Sequence, residues 1–251
     1  IPRKLEIVQP EFEVPEGGLH IRWPDEPNDQ EYRLQHYKIY AALAFARANQ
    51  LNRVVIDGPR PRFGIVSTGK AYLDVLQALE DLGIDKERAG EIGIKLFKVG
   101  MSWPLEPEGI RDFARGLEEI LVVEEKRAVV ENQLKEQLYN WETDSRPLIV
   151  GKFDERGEWI LPSSGDLTPT RIARVIANRL SRFHTSPDIE QRVQSIDRQE
   201  RLLEESERTA KRLPHFCSGC PHNTSTRVPK GSRAIAGIGC HFMAVWMDRD
   251  T

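Results

Sequence analysis

Short apolar runs alternate with amphipathic stretches through roughly residues 30–180 of the chain. The runs are rich in branched apolar residues and occupy Val54–Ile56, Ile65–Val66, Ile94–Val99, Ile120–Val123 and Leu148–Val150. Between them, apolar residues recur at helical spacing, as in Tyr72, Leu76 and Leu79. This alternation predicts βαβ units, and therefore an α/β fold with an open, mostly parallel sheet flanked by helices.

The pattern changes at both ends of this region, which predicts the domain organisation. Residues 1–29 are rich in Pro, Glu and Asp without periodicity, so we expect an extended linker there. Residues 30–180 are expected to form the α/β domain. Residues 181–212 are expected to form a charged connecting helix, and residues 213–251 to begin a further domain.

The expected connecting helix interleaves acidic and basic residues. Asp188 and Arg192 are one of several acid–base pairs separated by four positions, the spacing at which side chains meet on a helix. This pattern favours a solvated helix between two domains. A narrow apolar stripe that includes Ile189, Val193 and Ile196 leaves a short coiled-coil contact as the alternative.

The composition excludes two broad classes of protein. With 36 basic and 39 acidic residues, the chain lacks the positive charge of a nucleic-acid binder held by bulk electrostatics. No window approaches the roughly 18 apolar residues that a membrane span needs. Because no charged-then-apolar leader follows Ile1, we expect a cytoplasmic protein. The chain stops at Thr251 soon after a cysteine-rich segment begins, so we interpret it as a piece of a longer polypeptide.

One glycine-rich motif has the spacing of a nucleotide-binding loop. Gly64–Lys70 fits the pattern G-x4-G-K of a phosphate-binding P-loop. However, Ala71 stands where that motif needs the hydroxyl of Ser or Thr to hold Mg²⁺, and Ile65-Val66 belong to a predicted strand. We therefore favour a tight strand-to-helix turn over a nucleotide site.

Three carboxylates, Glu124, Glu125 and Glu131, lie near the end of a predicted strand. Ligands of open parallel sheets gather at the carboxyl ends of the strands, so these residues are candidates for a site. The neighbouring Lys126 and Arg127 favour a solvated charge cluster instead.

The strongest chemical signal is the set of three cysteines, Cys217, Cys220 and Cys240. An odd number of cysteines without an export signal argues against a disulfide framework. A C-x2-C pair can direct two thiolates at one metal, and Cys240 can supply a third ligand. Two centres fit this donor set: structural zinc, completed by His222 or His241, and an iron–sulfur cluster with a fourth cysteine elsewhere.

Two C-terminal segments are distinctive enough to carry a family resemblance. They are Phe216–Thr226, FCSGCPHNTST, and Gly231–Arg249, GSRAIAGIGCHFMAVWMDR. Both resemble the thiamine-diphosphate domain of the 2-oxoacid:ferredoxin oxidoreductases, and most closely the long fused bacterial form of the indolepyruvate ferredoxin oxidoreductase family. Upstream, Gly64–Leu79, Lys98–Pro107 and Val122–Arg127 are similar to the same family's transketolase-C-like domain.

The resemblance implies a division of labour within the chain. Residues 30–180 would be the transketolase-C-like domain, which is mainly architectural. Residues 213–251 would be the incomplete start of the thiamine-diphosphate domain, with no catalytic residue in this chain. By the family pattern, Cys217, Cys220 and Cys240 would bind a [4Fe–4S] cluster, with the fourth cysteine beyond Thr251.

The resemblance also implies a place for the second cofactor. Thiamine diphosphate would be held with Mg²⁺, mostly by residues outside this chain. Its diphosphate end would face a glycine-rich turn formed by Gly237, Gly239, Cys240 and His241. Glycines in such a turn would allow the backbone to approach a ligand closely.

The implied reaction is oxidative decarboxylation of indolepyruvate or a related aryl 2-oxoacid to the acyl-CoA, with reduction of ferredoxin. The implied partners are therefore the 2-oxoacid, coenzyme A and ferredoxin, in a homo-oligomer with no nucleic acid and no membrane. The alternative from another class is an α/β interaction domain with a structural zinc site at Cys217, Cys220 and Cys240. Bound zinc would identify that alternative.

Overall fold

The computed structural model describes residues 6–207, 213–235, 237–247 and 249. The chain divides into two compact units, Ile1–Ile196 and Asp197–Thr251. Residues 1–5 of the expected linker and residues 208–212 of the expected connecting helix lie outside the described residues. Within the described part of the chain, no helix combines the length and apolarity that crossing a membrane requires.

A five-stranded sheet forms the centre of the first unit, with strand order β1-β3-β2-β4-β5. The strands are β1 (Arg53–Ile56), β2 (Phe63–Thr68), β3 (Ile94–Val99), β4 (Glu119–Val123) and β5 (Leu148–Val150). Strands β2 to β5 pair in parallel, whereas β1 pairs with β3 in antiparallel orientation. The mostly parallel α/β sheet that the sequence predicts is confirmed.

From β2 onward, helices lie between successive strands, as expected for βαβ units. They are α1 (Pro27–Arg33), a π-helical segment (Leu34–Lys38), α2 (Ile39–Ala48), α3 (Gly69–Asp81), α4 (Lys86–Glu91), α5 (Pro107–Ala114), α6 (Val129–Leu138), α7 (Pro169–Leu180), α8 (Pro187–Glu207), α9 (His222–Ser225) and a 3₁₀ helix (Cys240–Trp246). Thr168 caps the start of α7 by accepting a hydrogen bond from the Arg171 amide.

Two apolar clusters cover the two faces of the sheet. Ile65 and Leu121 face the cluster that contains the buried sides of α3 and α7. Val66 and Val122 point to the opposite face, where α5 and α6 pack. Because successive side chains of a strand point to opposite faces, continuous apolar strands are what a sheet covered on both sides requires.

The first half of α8 belongs to the first unit. Ile189 and Ile196 are buried in the apolar cluster of α3 and α7, and Val193 packs against it. Asp188 pairs with Arg88 at 3.0 Å and with Arg192, its partner four positions on, at 3.6 Å. The prediction of a solvated helix is therefore wrong for this half, because the narrow apolar stripe packs onto the domain core.

A buried ion cluster ties α7 to the sheet. Arg179 donates to both carboxylate oxygens of Glu119, with Nη2 2.8 Å from Oε2, and its Nη1 lies 2.9 Å from Oε2 of Glu155. Arg182 reaches the same Glu119 carboxylate at 3.0 Å. The hydrogen bond to Glu119 raises the pKa of Arg179. Both carboxylates thus lie between the same two guanidinium groups, those of Arg179 and Arg182.

Candidate functional site

A tight turn presents the first two cysteines of the second unit. The Cys220 amide donates to the Cys217 carbonyl at 3.1 Å, which closes the turn. Gly219 adopts a φ of +75°, a backbone conformation that residues with a Cβ rarely adopt. Cys217 is exposed and Cys220 half-buried, and both thiols are free. The turn therefore leaves two thiols available as ligands.

Two histidines extend this cluster. The Cys220 Sγ lies 3.2 Å from Nδ1 of His222, at the start of α9. The rings of His222 and His241 are 5.9 Å apart between centroids. His241 follows the exposed Cys240 directly, so this contact brings the Cys240 segment beside the Cys217–Cys220 turn.

Arg249 fastens the two segments together, a role that the sequence reasoning missed. Its Nη1 donates to Oγ1 of Thr226 at 2.6 Å and to the carbonyl of Asn223 at 3.1 Å. Its guanidinium carbon lies 5.3 Å from the centre of the buried Phe216 ring. The Asn223 side chain in turn donates to the Cys217 carbonyl at 3.1 Å. Arg249 is therefore a positioning residue for the cysteine turn.

The donor chemistry of this unit suits a metal centre, but the ligand set is incomplete. Free thiols fit both an iron–sulfur cluster and zinc, and a neighbouring imidazole fits zinc. Among the residues that the structure describes, no three Cys, His, Asp or Glu side chains converge on one metal position. The assignment of Cys217, Cys220 and Cys240 as ligands therefore stays a prediction.

The glycine-rich turn is open to solvent. Gly237, Gly239 and Cys240 are all exposed. A Cβ on Gly239 would come within 2.9 Å of the His241 ring, so glycine at this position leaves room for that ring. The role of Gly237, Gly239, Cys240 and His241 toward a diphosphate stays a prediction.

The G-x4-G-K motif is a strand-to-helix turn, as predicted. Its first residues lie in β2, and Gly69, with a φ of +57°, begins α3. Lys70 pairs with Asp74 and donates to the Leu167 carbonyl at 3.1 Å. The lysine thus serves the internal structure of the domain, and its hydrogen bond to Asp74 raises its pKa.

Two carboxylates of the predicted charge cluster are buried, so the prediction of a solvated cluster is wrong for them. The Glu124 carboxylate accepts hydrogen bonds from the amides of Val129, Val130 and Glu131 at 2.9–3.0 Å. Glu131 accepts from Lys135 at 2.6 Å and from the Lys152 amide at 2.9 Å. Hydrogen-bond donors of the protein thus replace the solvent that these buried carboxylates would otherwise need.

Lys152 is a buried charged residue that the sequence reasoning did not single out. Its Nζ donates to the carbonyls of Glu124 and Pro162, the latter at 3.2 Å. Burial lowers the pKa of Lys152, and the nearby Glu124 and Glu131 oppose this effect. A single lysine after a strand carries no sequence signal of burial, because its partners are backbone carbonyls brought by the fold.

Replacing Glu124 by alanine should destabilise the first unit by about 2 kcal/mol, because three amides at the start of α6, those of the buried Val130 and Glu131 among them, lose their acceptor. Urea denaturation of the 251-residue chain would measure the free energy of unfolding. The matched control is Glu125→Ala, since Glu125 is only half-buried and lies 3.8 Å from Lys70. Equal effects of the two variants would contradict the capping role of Glu124.

The sequence of this chain is similar to subunits of indolepyruvate oxidoreductases. The indolepyruvate oxidoreductase subunit IorA of Pyrococcus horikoshii is 30% identical over 196 residues, which cover 76% of this chain. The chain spans only about a quarter of that relative, since the match covers 27% of its length.

Two solved structures overlap with part of the chain. A split-gene transketolase, an inactive β4 tetramer, gives a TM-score of 0.36 at 18% identity, covering 53% of this chain and 42% of that one. The 2-oxoglutarate:ferredoxin oxidoreductase of Magnetococcus marinus gives a TM-score of 0.35 at 19% identity, covering 61% of this chain and 22% of that one.

The family assignment rests on the match to a protein-family model. Residues 52–213 match the indolepyruvate ferredoxin oxidoreductase middle domain, which covers well over half of the chain. The chain therefore belongs to the indolepyruvate ferredoxin oxidoreductase family.

Proposed function

We propose that this chain is part of a cytoplasmic oxidoreductase that oxidatively decarboxylates indolepyruvate or a related aryl 2-oxoacid. Ferredoxin would take the electrons and coenzyme A the acyl group. The observation that carries the proposal is the family match over residues 52–213. Three free cysteines, Cys217, Cys220 and Cys240, lie after the matched residues in the same chain. Free, exposed thiols persist in a reducing compartment, which supports the cytoplasmic location.

The first unit would have an architectural role. Two buried charged residues beyond the carboxyl ends of β4 and β5, Glu124 and Lys152, make bonds that hold the domain together. Glu124 caps α6, while Lys152 bridges two carbonyls. With these groups committed to the fold, the catalytic residues would lie in other parts of the polypeptide, which would act as a homo-oligomer.

The second unit would hold the iron–sulfur cluster. Cys217, Cys220 and Cys240 would supply three thiolates, with the fourth from a residue outside this chain. A cluster ligated by thiolates transfers one electron at a time at a low potential, which suits the reduction of ferredoxin. Arg249 would keep the cysteine turn and the Cys240 segment together through Thr226.

The open glycine turn would contribute to the thiamine-diphosphate site. Thiamine diphosphate with Mg²⁺ would supply the electron sink for decarboxylation. The exposed backbone of Gly237 and Gly239 would face its diphosphate, and His241 would lie between this turn and His222.

One observation favours a second candidate function. The 3.2 Å contact between Cys220 and His222 joins a thiol to an imidazole, a donor pair that is common in structural zinc sites. A zinc site here would make the second unit a structural or interaction module.

Metal analysis of the anaerobically purified full-length polypeptide separates the two candidates. We expect iron and acid-labile sulfide in near-equal amounts, without zinc. The double variant Cys217→Ser/Cys220→Ser should lose about four iron and four sulfide, the content of one [4Fe–4S] cluster. The matched control Ser218→Ala changes an exposed residue of the same turn and should lose none. Stoichiometric zinc that disappears in the double variant would overturn the proposal.

A further inference from the structure

A cavity of about 670 Å³ lies in the first unit, among segments that follow the carboxyl ends of β4 and β5. Arg127 comes from the turn after β4, and Arg171 from the first turn of α7. The segment after β5 contributes Trp159, Ser163 and Ser164. None of the described residues that line this cavity is acidic.

The two arginines are chemically available. Within the described part of the chain, neither guanidinium has an ion pair or hydrogen-bond partner. The neighbouring Lys126, in contrast, adopts a φ of +57° and donates to the Gly165 carbonyl at 2.6 Å. Guanidinium groups bind phosphate through paired hydrogen bonds, so two of them around one cavity without acids favour a phosphate group.

The remaining wall suits a flat, partly polar group. Trp159 is 60% exposed, and its ring centre lies 4.1 Å from that of Phe153. An exposed indole offers a surface on which an aromatic base can stack. Ser163 and Ser164 add hydroxyl groups that can donate or accept. The volume lies within the range of cavities that bind small ligands.

We propose that this cavity binds a phosphorylated nucleotide, with the phosphate between Arg127 and Arg171 and the base against Trp159. This site is separate from the G-x4-G-K turn, whose lysine is bound to Asp74 and Leu167. It does not depend on the proposed oxidoreductase function, because every residue involved lies in the first unit.

Isothermal titration calorimetry on the 251-residue chain tests the proposal with ADP, inorganic phosphate and adenosine as probes. We expect saturable binding of ADP that is tighter than binding of phosphate or adenosine. Arg127→Gln and Arg171→Gln should each weaken ADP binding roughly tenfold, the effect of losing one hydrogen-bonded charge. Trp159→Leu should weaken the binding of ADP but not that of phosphate.

The controls separate binding from folding. Arg156→Gln removes an exposed arginine from the same segment without touching the cavity and should bind ADP like the parent chain. Arg171→Lys keeps the positive charge and should bind ADP more tightly than Arg171→Gln. Thermal melting would confirm that all variants are folded. Absence of saturable ADP binding, or undiminished binding by the double variant Arg127→Gln/Arg171→Gln, would overturn the proposal.

Discussion

Replacing Arg179 by alanine should lower the free energy of unfolding of the first unit by about 3–5 kcal/mol, the typical cost of removing one partner of a buried ion pair. The side chain of Glu119 is only 1% exposed, so its carboxylate would stay buried with weaker compensation. Arg182 would still reach that carboxylate at 3.0 Å, but from a side chain that is 45% exposed. Urea denaturation followed by circular dichroism would measure the loss.

Two companion variants identify the cause of the effect. Arg182→Ala removes the half-exposed partner and should cost about 1 kcal/mol or less, as surface ion pairs do. Arg179→Met combined with Glu119→Gln removes both charges and should be more stable than Arg179→Ala, because no buried carboxylate is left with only the half-exposed Arg182 as its partner. If Arg179→Ala and Arg182→Ala cost the same, the buried pair does not hold α7 to the sheet.

The elements that the sequence predicts best are those whose pattern is local. β3 and β5 have the predicted bounds, Ile94–Val99 and Leu148–Val150, because a Gly or a Pro stands directly before and after each strand. The helix α4 (Lys86–Glu91) was not predicted, since six residues are too few to show a helical period. Its signal was Asp85, whose carboxylate accepts a hydrogen bond from the Arg88 amide at 2.8 Å.

Burial of charged residues could not be predicted in the same way. Glu124 stands among other charged residues, which suggests exposure to solvent. Its carboxylate instead accepts hydrogen bonds from backbone amides of α6. Lys152 is satisfied by carbonyls that lie 28 and 10 positions away. The partners of Lys152 are supplied by the tertiary structure, so no local sequence pattern predicts them.

In the candidate site, too, the sequence indicates the local features but not the contacts between distant residues. The C-x2-C spacing and the Gly219 turn are local, so the sequence indicates them directly. The bond between Arg249 and Thr226 joins residues 23 positions apart, and it is visible only once the chain is folded. The arginines of the proposed nucleotide cavity, Arg127 and Arg171, are likewise brought together only by the fold.

Replacing Cys240 by alanine in the full-length polypeptide should abolish ferredoxin reduction while the protein stays folded. We expect a loss of roughly 100-fold or more, since even residues that only support a metal ligand cost about 10- to 100-fold when removed. Cys240 is exposed, so its replacement leaves no cavity in the core. Anaerobic assays of ferredoxin reduction and of CO₂ release from the 2-oxoacid would be compared.

The two assays together distinguish a loss of electron transfer from a loss of decarboxylation. If Cys240 binds the cluster that accepts electrons, carbon dioxide release should persist for about one turnover while ferredoxin reduction is lost, because decarboxylation itself needs no cluster. The matched control Met243→Leu alters the same 3₁₀ helix with little change in volume and should retain both activities. Unchanged ferredoxin reduction by Cys240→Ala would remove this residue from the ligand set. Another side chain would then have to complete the metal site at the Cys217–Cys220 turn. His222, whose Nδ1 lies 3.2 Å from the Cys220 sulfur, is the candidate for that donor.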